Sequence, residues 1–231
     1  MHLIVPVAMI VFVAVVIFVL YNSKQRKDEL GEWARRHGLT FEPWRNARLK
    51  DVFPGFQCLT DGDDCFGYNV MKGSPGGVSV TAFDYHLAPK SRTGDESYIF
   101  SALVAESPVP LKPMRVERRE ILDRKRPGQG LREVGPGDDE FSETFRVVAA
   151  DPQWALEVLR PDMRQWLMSA PEFSVQFSAR HVLIRSGGCF VANECQKAME
   201  LAQGVLARLP GAPAREPSPP EEAPSQRCEG S

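Results

Sequence analysis

A carboxylate and an imidazole, Asp84 and His86, stand two residues apart in the stretch VSVTAFDYHL at 78–87. On a β-strand, residues i and i+2 point to one face. A carboxylate so placed orients an imidazole, and an oriented imidazole is a general base. No nucleophile neighbours the pair in the chain. The plainer reading is a surface hydrogen bond, or a pair packed at a sheet edge. Catalysis requires both side chains to line a concave pocket with a third polar group.

Other chemistries find less support. The chain has no G-x-x-x-x-G-K-[ST], no helix-opening G-x-G-x-x-G, no G-x-S-x-G and no H-E-x-x-H. Cys189 and Cys195 are separated by five residues, and Cys58 and Cys65 by six. Structural zinc uses ligand pairs closer than that, and four of them. The run Asp61-Gly62-Asp63-Asp64 lacks the spacing and closing glutamate of a calcium loop. No metal site and no cofactor is expected. The net charge of −2 gives no reason to expect nucleic acid as a partner.

The 231 residues include 43% hydrophobic ones, 13 Phe and 4 Trp, enough for a sizeable core. The apolar residues are unevenly spread. Residues 3–21 read LIVPVAMIVFVAVVIFVLY. As a helix this run spans roughly 28 Å, close to the thickness of a bilayer's hydrocarbon core. The expectation is a transmembrane helix, with Pro6 tolerated in its first turn and Tyr21 at the headgroup level. Lys24, Arg26 and Lys27 follow directly, which by the positive-inside rule puts the following domain in the cytoplasm and the N-terminus outside. An odd cysteine count without tight pairing agrees with reduced thiols.

The remaining pattern reads as strands first and helices later. Leu30, Trp33, Ala34 and His37 give a short juxtamembrane helix within 22–40, stopped at Gly38. Strands are expected at 65–72, 78–87, 97–105 and 114–118, the second and third as an antiparallel pair with 97–105 central. Residues 119–140 read as an exposed loop and 141–148 as a strand. Asp151-Pro152 opens a helix, and Pro161 restarts a second. Phe173, Val175 and Phe177 alternate with polar residues in a half-buried strand, and 182–184 return from it. The last helix starts at Asn193, with Gln196 completing a capping box. Residues 210–231, rich in proline, read as a disordered tail.

The segments WARRHGLTF, FPGF, AFDYH, FRVVAADPQWALEVLRPDMRQWLM and LIRSGG, in that order behind an apolar span, resemble a family of uncharacterised bacterial single-span membrane proteins. The resemblance implies an anchor followed by one domain over most of 24–210, and no site. The fold class expected is α+β: an N-terminal transmembrane helix, then a curved antiparallel sheet of about five to seven strands, packed by helices including the C-terminal one. A pleckstrin-homology-like barrel fits that order. The function expected is non-enzymatic binding or scaffolding at the inner membrane face, with the lipid bilayer and a membrane protein as partners. The alternative is a membrane-anchored enzyme, a hydrolase before other classes, using the Asp84/His86 face.

Overall fold

The computed structural model describes residues 4–62, 64–88, 97–119, 130–135, 137, 139–170 and 172–213. The tail beyond 213, most of the 88–96 connection and residues 120–129 of the charged loop lie outside the described residues.

Helix α1 runs unbroken over Ile4–Arg36, 33 residues. Leu30, Trp33 and Ala34 are buried on one face, as their spacing predicts. The helix ends where Gly38 takes φ +68°. Leu39 N–H donates to Ala34 O at 2.8 Å and Gly38 N–H to Arg35 O at 3.2 Å, a Schellman stop. Among the described residues, no helix is long and apolar enough to cross a membrane. The transmembrane helix over 3–21, the single-pass inner-membrane placement and the domain tethered by it are therefore corrected. The physical reason is continuity. The helix does not end with its apolar run but continues through Lys24, Arg26, Lys27, Asp28 and Glu29 as one rod, whose second half docks on the domain.

The fold is α+β with one antiparallel sheet. In chain order the strands are β1 (Thr40–Glu42), β2 (Asp64–Gly73), β3 (Val80–Ala88), β4 (Tyr98–Glu106), β5 (Met114–Arg118), β6 (Arg132–Val134), β7 (Phe145–Ala149), β8 (Ser174–Ser178) and β9 (His181–Arg185). Across the sheet they lie β1-β2-β3-β4-β9-β8-β5-β7-β6. Among the described residues, nine strands in an open order that starts at β1 and ends at β6 replace the expected five to seven, so a pleckstrin-homology-like barrel is also corrected. Strand β4 is central, as its two-faced apolarity demands: β3 flanks it on one side and β9 on the other.

The helices are short until the last. After α1 come α2 (Leu49–Val52), α3 (Gln57–Thr60), α4 (Asp139–Thr144), α5 (Pro152–Val158), α6 (Pro161–Met168) and α7 (Ala192–Ala207). Asp151 caps α5, its Oδ1 accepting from Gln153 N at 3.0 Å and Trp154 N at 3.1 Å. Several elements differ from the sequence reading: β1, α2 and α3 were not expected, and strand β6 lies within the 119–140 stretch read as a loop, where it pairs with β7. Residues 139–144 are helical rather than extended, and the turn sets Phe141 against Phe145, the first residue of β7, with ring centroids 5.1 Å apart. Helix α7 starts at Ala192, and Glu194 rather than Gln196 reaches back to Val191 N, at 3.0 Å.

Two cores flank the sheet. The larger takes Met114, Val116, Val147, Val175, Phe177, Val182 and Ile184 from one face and Ala198, Leu201, Ala202 and Val205 from α7. The smaller is aromatic. Phe83, Tyr85 and Phe100 meet Leu49, Phe53, Phe56 and Leu59 from the α2–α3 segment. Tyr85 donates its hydroxyl to Leu59 O at 2.6 Å, which satisfies the one polar atom that ring buries.

Helix α7 and α6 touch at a glycine. A Cβ on Gly204 would lie 2.1–2.3 Å from the Trp166 ring. That indole is held by Nε1–H to Leu201 O at 3.2 Å and by the Arg208 guanidinium 4.3 Å over its centre. Alanine in a helix normally gains about 0.5–1 kcal/mol over glycine. Here Gly204→Ala should instead lose about 1–3 kcal/mol, the range of core overpacking, in urea unfolding. A second expectation concerns acid. Burial holds the His181 imidazole below its ordinary pKa of 6.5, helped by Arg180 and opposed by Glu106. The unfolded chain then binds the proton more readily, so stability should be level above the unfolded pKa and fall as pH drops through it. His181→Gln should flatten the urea midpoint between about pH 7.5 and about pH 5.5 relative to the parent chain.

Candidate functional site

Strand β3 carries Ala82, Asp84 and His86 on the face that α1 approaches, with Phe83, Tyr85 and Leu87 on the other. Asp84 is buried there, with 2% of its side chain exposed. Its partner is Arg26, one of the three basic residues that follow the apolar run. Arg26 Nη2 donates to Oδ1 at 2.7 Å and Nη1 to Oδ2 at 2.9 Å, a two-pronged pair that fits the planar guanidinium. The third Arg26 donor, Nε–H, goes to Phe190 O at 2.8 Å.

The carboxylate has two further donors. Asn69 Nδ2 reaches Oδ2 at 2.8 Å, and the Ser101 hydroxyl donates to Oδ1. Ser101 Oγ in turn accepts from Phe190 N at 2.7 Å. Asn69 stands where the β2–β3 register shifts, with φ +49°. Asparagine takes this left-handed conformation more cheaply than most residues. The bulge turns its amide to the carboxylate. Burial disfavours the charge on Arg26, but the hydrogen bonds and charge of Asp84 outweigh it and raise the Arg26 pKa.

The network thus ties α1, β2, β3, β4 and the Phe190 segment at one point. Around it sit three further groups. Tyr68 is pushed up, first by burial and then by the Asp84 charge. Burial and the same carboxylate raise the Cys189 thiol, and raise that of Cys195 to about 12. These thiols are therefore neutral and poor nucleophiles at ordinary pH.

His86 shares the face with Asp84 and lies apart from this network. Its ring stacks on Phe66 at 4.8 Å, and its Nδ1 lies 3.3 Å from Asp64 O. Phe66 is also covered by the Arg45 guanidinium at 3.9 Å. Neither Asp84 nor His86 lines the cavities found beside α1, at the η-turn 75–77 or around Gly55. Of the other basic-flank residues, Tyr21 and Lys24 are exposed, and Lys27 lies 5.0 Å from the ring centre of Trp44, itself 76% exposed. An open groove of about 990 Å³ runs along α1, lined by Lys24, Asp28, Glu32, Arg35, Leu39 and Phe41 among others.

Asn69 and Ser101 were not singled out by the sequence. One signal was available: Ser101 interrupts the apolar strand SYIFSALVA, and a buried hydroxyl there needs a partner. Arg26 as a buried ligand of Asp84 had no local signal, since the two are 58 residues apart.

The geometry makes the Arg26–Asp84 pair a lock on α1. Asp84→Ala strands a largely buried guanidinium and should cost about 3–5 kcal/mol in urea unfolding. The double change Arg26→Met with Asp84→Leu should recover most of that loss, because no charge then remains to be desolvated.

No protein-family model matches the chain, and no curated protein matches it. A solved structure does match in fold: the mycobacterial trehalose monomycolate transport factor A, TtfA, at TM-score 0.60 and 14% identity, covering 81% of this chain and 97% of that one. The resemblance to a family of single-span membrane proteins is corrected by these results, because the likeness found is to the fold of that transport factor.

Proposed function

We propose that this chain acts by binding, as a factor in the movement of an amphiphilic lipid. The observation that carries the reading is the apolar first half of α1. Its described side chains are exposed: Val13, Val15, Val16, Ile17, Phe18 and Leu20, with Ile17 62% and Phe18 64% exposed. Successive helical residues are about 100° apart, so residues 15–18 show apolar surface around nearly the whole circumference. The acyl chain of a lipid is apolar enough to cover such surface, and each buried methylene contributes about 0.8 kcal/mol.

Two other features support the reading. At the foot of that half, Lys27, Trp44, Arg45, Phe66 and His86 form an exposed patch of cations over aromatic rings. Such amphipathic groups suit the boundary between headgroups and chains. The fold resembles that of a protein named as a trehalose monomycolate transport factor. Asp84, for its part, is engaged in holding α1 and has no free lone-pair direction for proton transfer to a substrate. A bilayer surface and a membrane-embedded transporter are the two places where the chain would meet its lipid.

Vesicle flotation of the full chain tests this. The chain should float with vesicles of phosphatidylcholine and phosphatidylglycerol. The combined change Val16→Asp, Ile17→Asp and Leu20→Asp should lower the floating fraction by about tenfold or more, given a loss of about 2–3 kcal/mol per apolar side chain withdrawn. The urea midpoint should stay the same, since these side chains touch no core. A parent chain that stays at the bottom of the gradient would refute the proposal.

A further inference from the structure

The sheet face opposite α7 changes character half-way across. Over β2, β3 and β4 it is the aromatic core described above. Over β9, β8 and β5 it becomes polar. Strand β5 sends Met114 and Val116 into the main core and so turns Arg115 and Glu117 to this face. Strand β8 likewise turns Ser174 and Gln176, and β9 turns Arg185. The register sets Arg115 beside Gln176, and Arg185 beside Ser174. Glu117, Ser174 and Gln176 are buried, at 6%, 2% and 3% exposure.

The hydrogen-bond accounting there does not close. Gln176 Nε2 donates to Glu117 Oε1 at 3.4 Å, and Gln176 Oε1 accepts from Cys58 Sγ at 3.7 Å. Arg115 and Arg185 have no carboxylate in ion-pair range among the described residues. The Nε of each is out of solvent and has no acceptor. Arg185 has only the Phe100 ring, 5.2 Å from its guanidinium carbon. Burial pushes the Cys58 thiol up to about 11, and the charges of Arg185, Glu117 and Arg115 act on it more weakly. A cavity of about 270 Å³ opens there between Gly55, Phe56, Pro113, Arg115, Leu131 and Gln176.

An arginine Nε–H shut off from water with no acceptor is costly, and a ligand oxygen placed there would relieve that cost. The charge sum is +1: two arginines against one glutamate. The planar donor fork of arginine matches an oxyanion. We propose that this cavity binds the oxyanion of a small ligand, a phosphate or carboxylate group, gripped by Arg115 at the cavity wall, with Arg185 two strands away adding positive charge to the same sheet face. Gln176 fixes Glu117, and Glu117 limits the charge the site accepts. The oxyanion is either a free anion or the headgroup of an amphiphile. The proposal does not rest on the lipid reading, because it uses no residue of α1.

Calorimetric titration of the full chain tests it, with inorganic phosphate as one probe and dihexanoyl phosphatidylglycerol below its micelle concentration as the other. At least one should bind. Arg115→Gln should weaken that binding about tenfold, in line with the loss of a charge-assisted pair, and Arg185→Gln, whose charge lies farther off, about two- to threefold. Glu117→Gln should strengthen it several-fold by removing a like charge, and serves as the variant that keeps a folded site if an arginine variant does not fold. Phosphate and the lipid binding alike would assign a free anion. Binding of the lipid alone, lost in the arginine variants, would assign a headgroup. No binding of either probe at millimolar concentration overturns the proposal. So does binding that Arg115→Gln, Arg185→Gln and Glu117→Gln all leave unchanged. Vesicle flotation should be untouched by these three variants, so loss of flotation through α1 and loss of anion binding are separate results.

Discussion

A guanidinium can leave water only where acceptors replace every hydration contact it gives up. Arg26 meets that condition with Asp84 and Phe190 O, and Asp84 meets the matching one with Arg26, Asn69 and Ser101. Each member of the set depends on another. Ser101 can donate to the carboxylate because its oxygen also accepts from Phe190 N, and Asn69 reaches it because a bulge puts φ at +49°. The set joins an N-terminal helix to the middle of the sheet and to the segment that leads into the C-terminal helix. The direction in which α1 leaves the domain is fixed by this joint together with the Leu30–Trp33–Ala34 stripe. Without it, the apolar half of the helix would have no defined position relative to the Lys27–Trp44–Arg45 patch at its foot.

Local physics made most elements readable. The apolar alternation in 173–178 gave β8, the Asp151-Pro152 cap gave α5, and the two-faced apolarity of 97–105 placed β4 at the centre of the sheet. Gly38 announced its own left-handed stop. What was hidden is non-local. The bonding of Arg26 to Asp84 joins residues that no periodicity links, and the same arginine, read by position alone, looked like a charge that flanks lipid. The run 141–148 misled for a related reason: two phenylalanines four apart serve a helical turn as well as a strand. The apolar run at the N-terminus was the strongest signal in the chain and the one most affected by context, since the helix that contains it goes on for another turn and more into a docked, charged segment.

The two faces of the sheet show how the same alternation can build different environments. On β3 and β4 the residues facing α2 and α3 are Phe83, Tyr85, Phe100, Ala102 and Val104, and only the Tyr85 hydroxyl needs a partner. Over the next three strands, β9, β8 and β5, the same face carries Arg185, Ser174, Gln176, Arg115 and Glu117. Alternation alone predicts that such residues face water. Several are buried instead, because the α2–α3 segment folds over part of the row through Cys58 and through Gly55, whose missing Cβ leaves room for Ser178.

A comparison of the two charge clusters separates structure from function. Around Asp84 the donors and acceptors balance: each guanidinium nitrogen has an oxygen, and each carboxylate oxygen has two donors. Such a cluster holds a fold together and leaves nothing for a ligand to satisfy. Around Cys58 the donors outnumber the acceptors, and two arginine Nε–H groups end on nothing. Both clusters are buried to a similar depth, so desolvation weighs on both. The second has a cavity beside it and unmet bonding capacity that an incoming oxyanion would relieve. The carboxylate that the sequence offered as a candidate is thereby the more structural of the two, and the chemistry available for recognition lies two to four strands away, in residues whose spacing carries no motif.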